Sequence, residues 1–119
     1  MSRSVASCLI VAAALLLAPS TAFAGKTESE TFFANGRELR MAGKCSEAIP
    51  EFRRALETYP DGLGALRNIA ECEEELGRVA SARRSWWDLR FSAMSAKESK
   101  YDGWVQDAEQ AYERLGPKV

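Results

Sequence analysis

Apolar residues recur every three or four positions through most of this chain, which is the spacing of one face of an α-helix. Charged and polar residues stand between them, so each predicted helix has an apolar side and a polar side. No segment alternates apolar and polar residues as a half-buried strand does, and the pattern predicts an all-α protein. The clearest apolar stripe is Ala48, Ile49, Phe52, Ala55 and Leu56, and a later one is Trp104, Ala108, Ala111, Tyr112 and Leu115.

A longer period is superposed on the helical one, because residues 34 positions apart are of the same kind. Gly43 and Gly77 correspond, and a basic residue follows each of them. Glycine directly after a helical stretch is typical of a helix C-terminus, so each unit is predicted to hold two helices joined by a short turn. The other matched pairs include Phe32 and Leu66, Ala48 and Ala82, Phe52 and Trp86, and Ala55 and Leu89.

Individual residues predict where the helices begin and end. Ser46 is a candidate N-cap for the second helix. Residues 59–62, Tyr-Pro-Asp-Gly, predict a turn between the two units. Met94 is the counterpart of the proline in that turn, so the fourth helix is expected to continue past Arg90. A fifth helix follows, and Gly116 with the next proline ends it.

In the spacing of Ala48, Phe52, Ala55 and Pro60, the first unit resembles the tetratricopeptide repeat, a helix-turn-helix module of about 34 residues. Residues 62–78 look especially like exported tetratricopeptide proteins of Gram-negative bacteria. The resemblance implies a short α-solenoid of five helices that binds other proteins. Its expected parts are repeat one at 29–62, repeat two at 63–98, and a C-terminal capping helix with its tail at 99–119.

The first 24 residues contain the parts of a secretory signal peptide in the expected order. Arg3 supplies a positive charge, an apolar run follows at 8–18, and a small-x-small site predicts cleavage after Ala24. A short linker is then expected at 25–28. The apolar run is shorter than the roughly 20 residues that a membrane span needs. We therefore expect an exported protein, periplasmic or secreted in a Gram-negative bacterium, with no membrane span after cleavage.

The composition excludes several kinds of site. The chain has no histidine, 16 basic and 17 acidic residues, and a net charge of −1. Catalysis by Ser-His-Asp or Cys-His is therefore impossible, and the strongly basic surface of many nucleic-acid-binding proteins is not expected. A glycine-rich phosphate loop and a CxxC motif are also missing. We expect no enzymatic activity, no cofactor, no metal and no nucleic-acid partner; an enzyme would require carboxylates that converge in a pocket.

Cys45 and Cys72 are the two cysteines that follow the predicted leader. They lie on the second and third helices, which run antiparallel and touch if the helix pairs stack. A disulfide between them would close a loop of about 26 residues and stabilise the fold by roughly 3 kcal/mol. It requires Cα atoms within about 7 Å of each other. The alternative is that both are free, small apolar residues of the core.

The resemblance also implies a binding site, because the first helix of each tetratricopeptide repeat lines a concave groove. Arg37, Arg40 and Arg67 would form a basic end of that groove, and a guanidinium matches the two oxygens of a peptide carboxylate. The alternative is that these arginines are surface charges paired with nearby glutamates. The implied groove residues are Phe33, Arg37, Arg40, Met41, Arg67, Asn68 and Glu71, with Ala34 and Glu75 beside them.

A second candidate surface lies on the fourth helix, where Trp87, Phe91 and Met94 recur at helical spacing. Trp104 and Tyr112 of the fifth helix are candidates to cover them, since an apolar stripe usually finds a cover. If these residues are exposed instead, they favour a self-associating structural subunit, such as a homodimer.

The run Glu73-Glu74-Glu75 is expected on a solvated surface. Glu73 also falls on the apolar stripe of the third helix, which is unusual for a carboxylate. It is expected to pair with an arginine of the fourth helix such as Arg83, or to extend its carboxylate towards solvent.

Overall fold

The computed structural model describes residues 21–119, which form five α-helices. These helices confirm the all-α prediction. Short 3₁₀ turns at Ser99–Tyr101 and Gly116–Lys118 flank the last helix. The predicted signal peptide lies outside the described residues except for its last positions, 21–24, which are helical. In chain order the helices are α1 (Thr21–Met41), α2 (Cys45–Thr58), α3 (Leu63–Glu75), α4 (Val79–Ala96) and α5 (Asp102–Leu115).

Each helix packs against the next one in the chain, so the fold is a stack of antiparallel helices. Two apolar clusters hold the stack together. The first lies around Phe52 between α1, α2 and α3, and the second lies around Trp86 and Leu89 between α3, α4 and α5. Because α3 contributes to both clusters, it joins the two halves of the core. None of the helices in residues 21–119 is both long and apolar enough to cross a membrane.

The two glycines of the repeat end α1 and α3 in the same way. Gly43 and Gly77 have φ values of +74° and +71°, a conformation that glycine adopts without steric strain. The next residue then donates to a carbonyl five positions earlier, from Lys44 to Leu39 and from Arg78 to Glu73. Both ends are Schellman caps, and each one turns the chain directly into the following helix.

Two predictions about helix ends have different outcomes. α4 continues past Arg90 to Ala96, as predicted from Met94 standing where the first repeat has its turn proline. The residue that follows the helix, Lys97, has the left-handed conformation. The prediction for Ser46 is wrong, because α2 begins one residue earlier, at Cys45, with Lys44 as its N-cap. The Schellman cap already brings the Lys44 carbonyl into position to accept the Ala48 amide at 2.9 Å, so no side-chain cap is needed.

Residues 25–28, expected to form a linker, are helical and belong to α1. Gly25 passes so close to the end of α2 that a Cβ atom there would lie 2.9 Å from the carbonyl oxygen of Thr58. One turn later, the buried Ser29 hydroxyl donates to the carbonyl of Ala55 at 2.9 Å. These two contacts hold the first turns of α1 against α2.

The three consecutive glutamates are not one solvated surface. Glu73 is only 2% exposed and accepts a hydrogen bond from the Ser85 hydroxyl of α4. Its neighbour Glu74 is half-buried and accepts hydrogen bonds from the Trp86 indole and from Arg114, each at 2.7 Å. Only Glu75 is exposed. The run therefore ties α3 to α4 and α5, which corrects the surface prediction.

The expected pairing of Glu73 with Arg83 is also wrong. The guanidinium of Arg83 lies 3.8 Å from the centre of the Tyr112 ring, and its Nε donates to the Tyr112 carbonyl at 3.2 Å. Arg83 thus fastens α4 to α5. A buried carboxylate needs hydrogen-bond donors, and on this side of α3 the hydroxyl of Ser85 supplies one.

Replacing Gly36 with alanine is expected to destabilise the fold by about 1–3 kcal/mol, because the added Cβ would overpack the core. That atom would lie 2.7 Å from the ring of Phe52, which is fully buried and has no free space to move into. The matched control is Gly103→Ala at an exposed position in the first turn of α5, where nothing lies within 4 Å of the new Cβ. Helix propensity alone should leave that variant as stable as the wild type or more stable, by at most about 1 kcal/mol. Urea unfolding measures the free energy of unfolding of both variants. If Gly36→Ala is more stable than the wild type, Gly36 does not pack as closely against Phe52 as the structure indicates.

Candidate functional site

A disulfide joins Cys45 at the start of α2 to Cys72 in α3, with Cα atoms 5.2 Å apart. The carboxylate of Glu75 lies 3.0 Å from the sulfur of Cys45. These three side chains could place ligand atoms around a metal ion. In the bridged state the sulfurs are bonded to each other and offer no thiolate, so the cluster acts as a structural clamp.

A cavity of about 550 Å³ opens beside this clamp, between α1, α3 and α5. It is a groove in the surface and not an enclosed chamber. Every groove residue that the family resemblance implied lies on it, except Ala34. The lining residues are Phe33, Arg37, Arg40 and Met41 from α1, Gly64, Arg67, Asn68, Glu71 and Glu75 from α3, and Trp104 from α5.

Arg40 is the centre of a network across the groove. Its Nη1 donates to the side-chain oxygen of Asn68 at 2.7 Å and to Glu71 at 2.6 Å, and its Nη2 donates to Glu75 at 3.1 Å. Burial acts to lower the pKa of the Arg40 guanidinium, but the hydrogen bonds and charges of Glu71 and Glu75 outweigh it and raise the pKa. Arg40 is therefore a fixed cation that links α1 to α3.

Arg67 forms a second network on the opposite side. Its Nε donates to Glu71 at 3.0 Å, and its Nη1 pairs with Asp107 of α5 at 3.0 Å. Its guanidinium carbon lies 4.9 Å from the centre of the Trp104 ring, within the range of a cation–π contact. Arg67 therefore joins α3 to α5 and fixes the position of the indole in the groove.

The expected basic end of the groove is absent, because its arginines are neutralised from within. Glu71 receives hydrogen bonds from both Arg40 and Arg67, and Glu75 and Asp107 add two further carboxylates. The alternative stated above, pairing with nearby glutamates, is thus what the structure shows for these two arginines. Within residues 21–119, Arg37 forms no ion pair; its guanidinium lies 6.0 Å from the centre of the Phe33 ring.

Asn68 takes part in the same network and does not present a free amide. Its nitrogen donates to the carbonyl of Gly64 at 2.8 Å, while its oxygen accepts from Arg40. Both polar atoms of this side chain therefore have partners inside the protein. The groove presents an ordered, charge-balanced floor, with Arg37 as its unpaired cation among the described residues.

Sequence reasoning missed three groove features. It placed Trp104 over the aromatic stripe of α4, yet this indole packs on Tyr101, with ring centres 4.9 Å apart, and faces the groove. It also omitted Gly64 and Asp107. The spacing of Trp104 and Asp107, one helical turn apart, is the signal that places both on the same face of α5.

Comparison with known proteins supports the architecture just described. The family model of the tetratricopeptide repeat matches residues 33–89, which run from α1 to α4. The chain is a tetratricopeptide repeat protein. Repeats of this family generally mediate protein–protein interactions and are not typically catalytic. No curated protein and no solved structure matches the chain.

The aromatic stripe on α4 of this tetratricopeptide repeat protein is only partly covered by α5. Tyr112 contacts Trp87, with ring centres 5.0 Å apart, and Trp87 is still 46% exposed. Phe91 and Met94 are 67% and 54% exposed. The expectation that Trp104 and Tyr112 together cover the stripe is therefore correct only for the contact of Tyr112 with Trp87.

Proposed function

We propose that this tetratricopeptide repeat protein binds a segment of another protein in the groove between α1, α3 and α5, without catalysing a reaction. The observation that carries the proposal is the convergence of Phe33, Arg37, Met41, Asn68 and Trp104 on one open cavity. Three of these side chains offer apolar surface and one offers an unpaired positive charge. Such a mixture of apolar contacts and a few polar groups is typical of a binding site.

The ion-pair network defines what the groove can recognise. A partner carboxylate at Arg40 or Arg67 would have to replace Glu71, whose hydrogen bonds are already formed at 2.6 and 3.0 Å. We therefore infer that the partner segment contacts the apolar residues and Arg37, and that the network serves as a rigid floor. Rigid floors favour binding because less conformational entropy is lost.

The carboxylates of the groove support this non-enzymatic role. Glu71 and Glu75 both lie on the cavity, and each is engaged by an arginine. A general acid or base must exchange a proton with a substrate, whereas both of these carboxylates already accept hydrogen bonds from arginines within the protein. Their arrangement fits a structural network better than an active site.

We also infer that the protein works outside the cytoplasm. The Cys45–Cys72 disulfide supports this location, because disulfides persist mainly in oxidising compartments. The signal-peptide pattern of residues 1–24 points to the same location. The test is N-terminal sequencing of the protein recovered from a Gram-negative periplasm, where we expect Gly25 as the first residue. A retained Met1 would contradict export by this route.

Substituting Arg37 with glutamate is expected to weaken capture of the partner by at least about 10-fold, since it reverses the unpaired charge of the groove. The experiment uses the chain expressed with its own leader and a C-terminal tag as bait in envelope extract. Quantitative mass spectrometry measures the captured proteins. Met41→Asp is a second groove variant, because this side chain is 76% exposed and its substitution leaves the core intact.

The matched control is Arg53→Glu, which makes the same charge reversal at an exposed arginine of α2, away from the groove. A partner kept by the control and lost by both groove variants supports the proposal. A partner that both groove variants retain, or that only Arg53→Glu loses, would contradict it.

Self-association through the aromatic face of α4 is the second candidate function. The exposure of Trp87, Phe91 and Met94 supports it, because three large apolar side chains in a row rarely face solvent without a use. This face and the groove are formed by different helices. Both functions can therefore coexist in one molecule.

A further inference from the structure

The carboxylate of Glu75 belongs to the same small cluster as the two bridged cysteines. Cys72 and Glu75 stand three residues apart, so both side chains lie on one face of α3, and Cys45 meets them from the first position of α2. The sulfur and oxygen atoms of the three side chains lie within 4.8 Å of one another. Among residues 21–119, this is the one group of three cysteine or acidic side chains that converges so closely.

The two oxygens of the Glu75 carboxylate have different neighbours. Oε1 accepts a hydrogen bond from Nη2 of Arg40 at 3.1 Å, while Oε2 lies 3.0 Å from the sulfur of Cys45. A disulfide sulfur carries no hydrogen, so the bridge donates nothing to Oε2. Carboxylates that bind metal ions are themselves usually held by an outer hydrogen bond. Arg40 provides such a bond and leaves Oε2 turned towards the sulfurs.

We propose that Cys45, Cys72 and Glu75 bind one zinc ion when the bridge is open, and that the ion then joins α2 to α3 in place of the disulfide. An open state exists before the bridge forms and after it is reduced. Two thiolates and one carboxylate are three zinc ligands, and a water molecule completes the tetrahedron. Thiolates select zinc over calcium and magnesium, which prefer oxygen ligands alone. No partner protein is needed to form this site.

The backbone spacing suits such an ion. Two thiolates at about 2.3 Å from one tetrahedral zinc ion stand about 3.8 Å apart. The Cα atoms of Cys45 and Cys72 are 5.2 Å apart, so rotation about the side-chain bonds gives the sulfurs this separation while both helices stay in place. Both cysteines are buried, whereas Glu75 is exposed. The carboxylate therefore lies on the side from which the ion and its water enter.

Opening the bridge and loading the ion are two separate steps. A phosphine reductant breaks the sulfur–sulfur bond, takes up the oxygen of one water to become a phosphine oxide, and leaves one proton on each sulfur. Zinc then replaces these two protons and forms two zinc–sulfur bonds. Glu75 adds the third bond through Oε2, while Oε1 stays with Arg40. We therefore expect about two protons to be released for each zinc ion bound.

The first test is titration of the full mature chain with Co²⁺, after reduction by a phosphine under nitrogen. Cobalt is the probe because a tetrahedral Co²⁺ ion with thiolate ligands has a distinctive spectrum. The reduced protein should show thiolate-to-cobalt charge transfer in the near ultraviolet and strong visible absorption at one ion per chain, and zinc should displace both bands. The oxidised protein should show neither band, since its sulfurs are bonded to each other.

Substituting Glu75 with glutamine tests the third ligand. Glutamine keeps the size of the side chain and lacks the charge, so the affinity for Co²⁺ should fall at least about 10-fold; loss of even an outer-shell partner typically costs 10–100-fold. Because Glu75 is exposed, the variant should retain the helical circular dichroism of the wild type. The matched control is Glu113→Gln, the same change at an exposed position of α5, which should bind cobalt as tightly as the wild type.

Urea unfolding tests whether the ion replaces the bridge. The reduced protein in a chelator should unfold at a lower urea concentration than the oxidised protein. Zinc should restore most of the lost midpoint, because a ligand that binds only the folded chain stabilises it. Cys45→Ala combined with Cys72→Ala should show no such response.

Three results would overturn these assignments. A reduced wild-type protein without the charge-transfer band would exclude the metal site. A urea midpoint that zinc leaves unchanged, or raises equally in the double alanine variant, would exclude the ion as a link between α2 and α3. Equal cobalt affinities of Glu75→Gln and Glu113→Gln would exclude Glu75 as the third ligand.

Discussion

Removing the Cys45–Cys72 disulfide is expected to lower the free energy of unfolding by about 3 kcal/mol. The bridge connects residues 27 positions apart, and a cross-link of that span restricts the unfolded chain by about this amount in the chain-entropy model. Both cysteines are buried, so Cys45→Ala combined with Cys72→Ala leaves no polar group unsatisfied. A two-repeat array has a small core, which makes the loss a large share of its stability.

Urea unfolding followed by circular dichroism measures this effect. Adding a dithiol reductant to the wild-type protein should lower its midpoint towards that of the double alanine variant. The same reductant should leave the variant unchanged, which serves as the control. If the wild-type protein unfolds at the same urea concentration with and without reductant, the bridge does not contribute as expected.

Replacing Phe52 with alanine is expected to destabilise the protein by about 3–5 kcal/mol, the range for deleting a buried aromatic side chain. Phe52 is 0% exposed, and its ring fills the space between Gly36 of α1 and the ring of Phe33, whose centre lies 5.7 Å away. The Phe52 ring of α2 fits directly against Gly36 of α1. The cavity left by deleting the ring can therefore be filled only if one of these two helices moves. The variant should unfold at a much lower urea concentration.

Phe91→Ala is the matched control, because it deletes the same side chain from an exposed position. Its effect should stay within about 0.5 kcal/mol, as for most surface substitutions. Comparable losses in the two variants would contradict the assignment of Phe52 to the core and Phe91 to the surface. Both variants are compared at the same low protein concentration, so that self-association does not add to the stability of the control.

The repeat pattern was sufficient to predict the helices and most of their ends. Gly43 and Gly77 recur at the repeat period because each Schellman cap needs a residue at positive φ. The position of Met94 was enough to extend α4. Ser46 shows where this local reasoning fails, since the cap that precedes α2 had already supplied the hydrogen bond that a serine would provide.

The groove was predictable as a location and not as a chemical surface. The family resemblance placed Arg40, Arg67 and Asn68 on it, because the first helix of each repeat lines the groove in that family. Their partners were not predictable, because Glu71 lies between two arginines of different helices and Asp107 comes from α5. Which charged side chains meet across helices depends on how those helices pack. For this reason the sequence predicted a basic surface where the structure has arginines paired with carboxylates.

The sequence by itself determined an all-α repeat, its glycine-capped helices and the residues that face its core, because these follow from local conformational preference and from the spacing of apolar residues. The tertiary structure alone decided that Cys45 and Cys72 come within bonding distance, that Glu73 is buried against Ser85, and that Phe91 is uncovered. Each of these depends on the distance and rotation between helices. Those are set by the packing of side chains distant in sequence, and no local pattern encodes them.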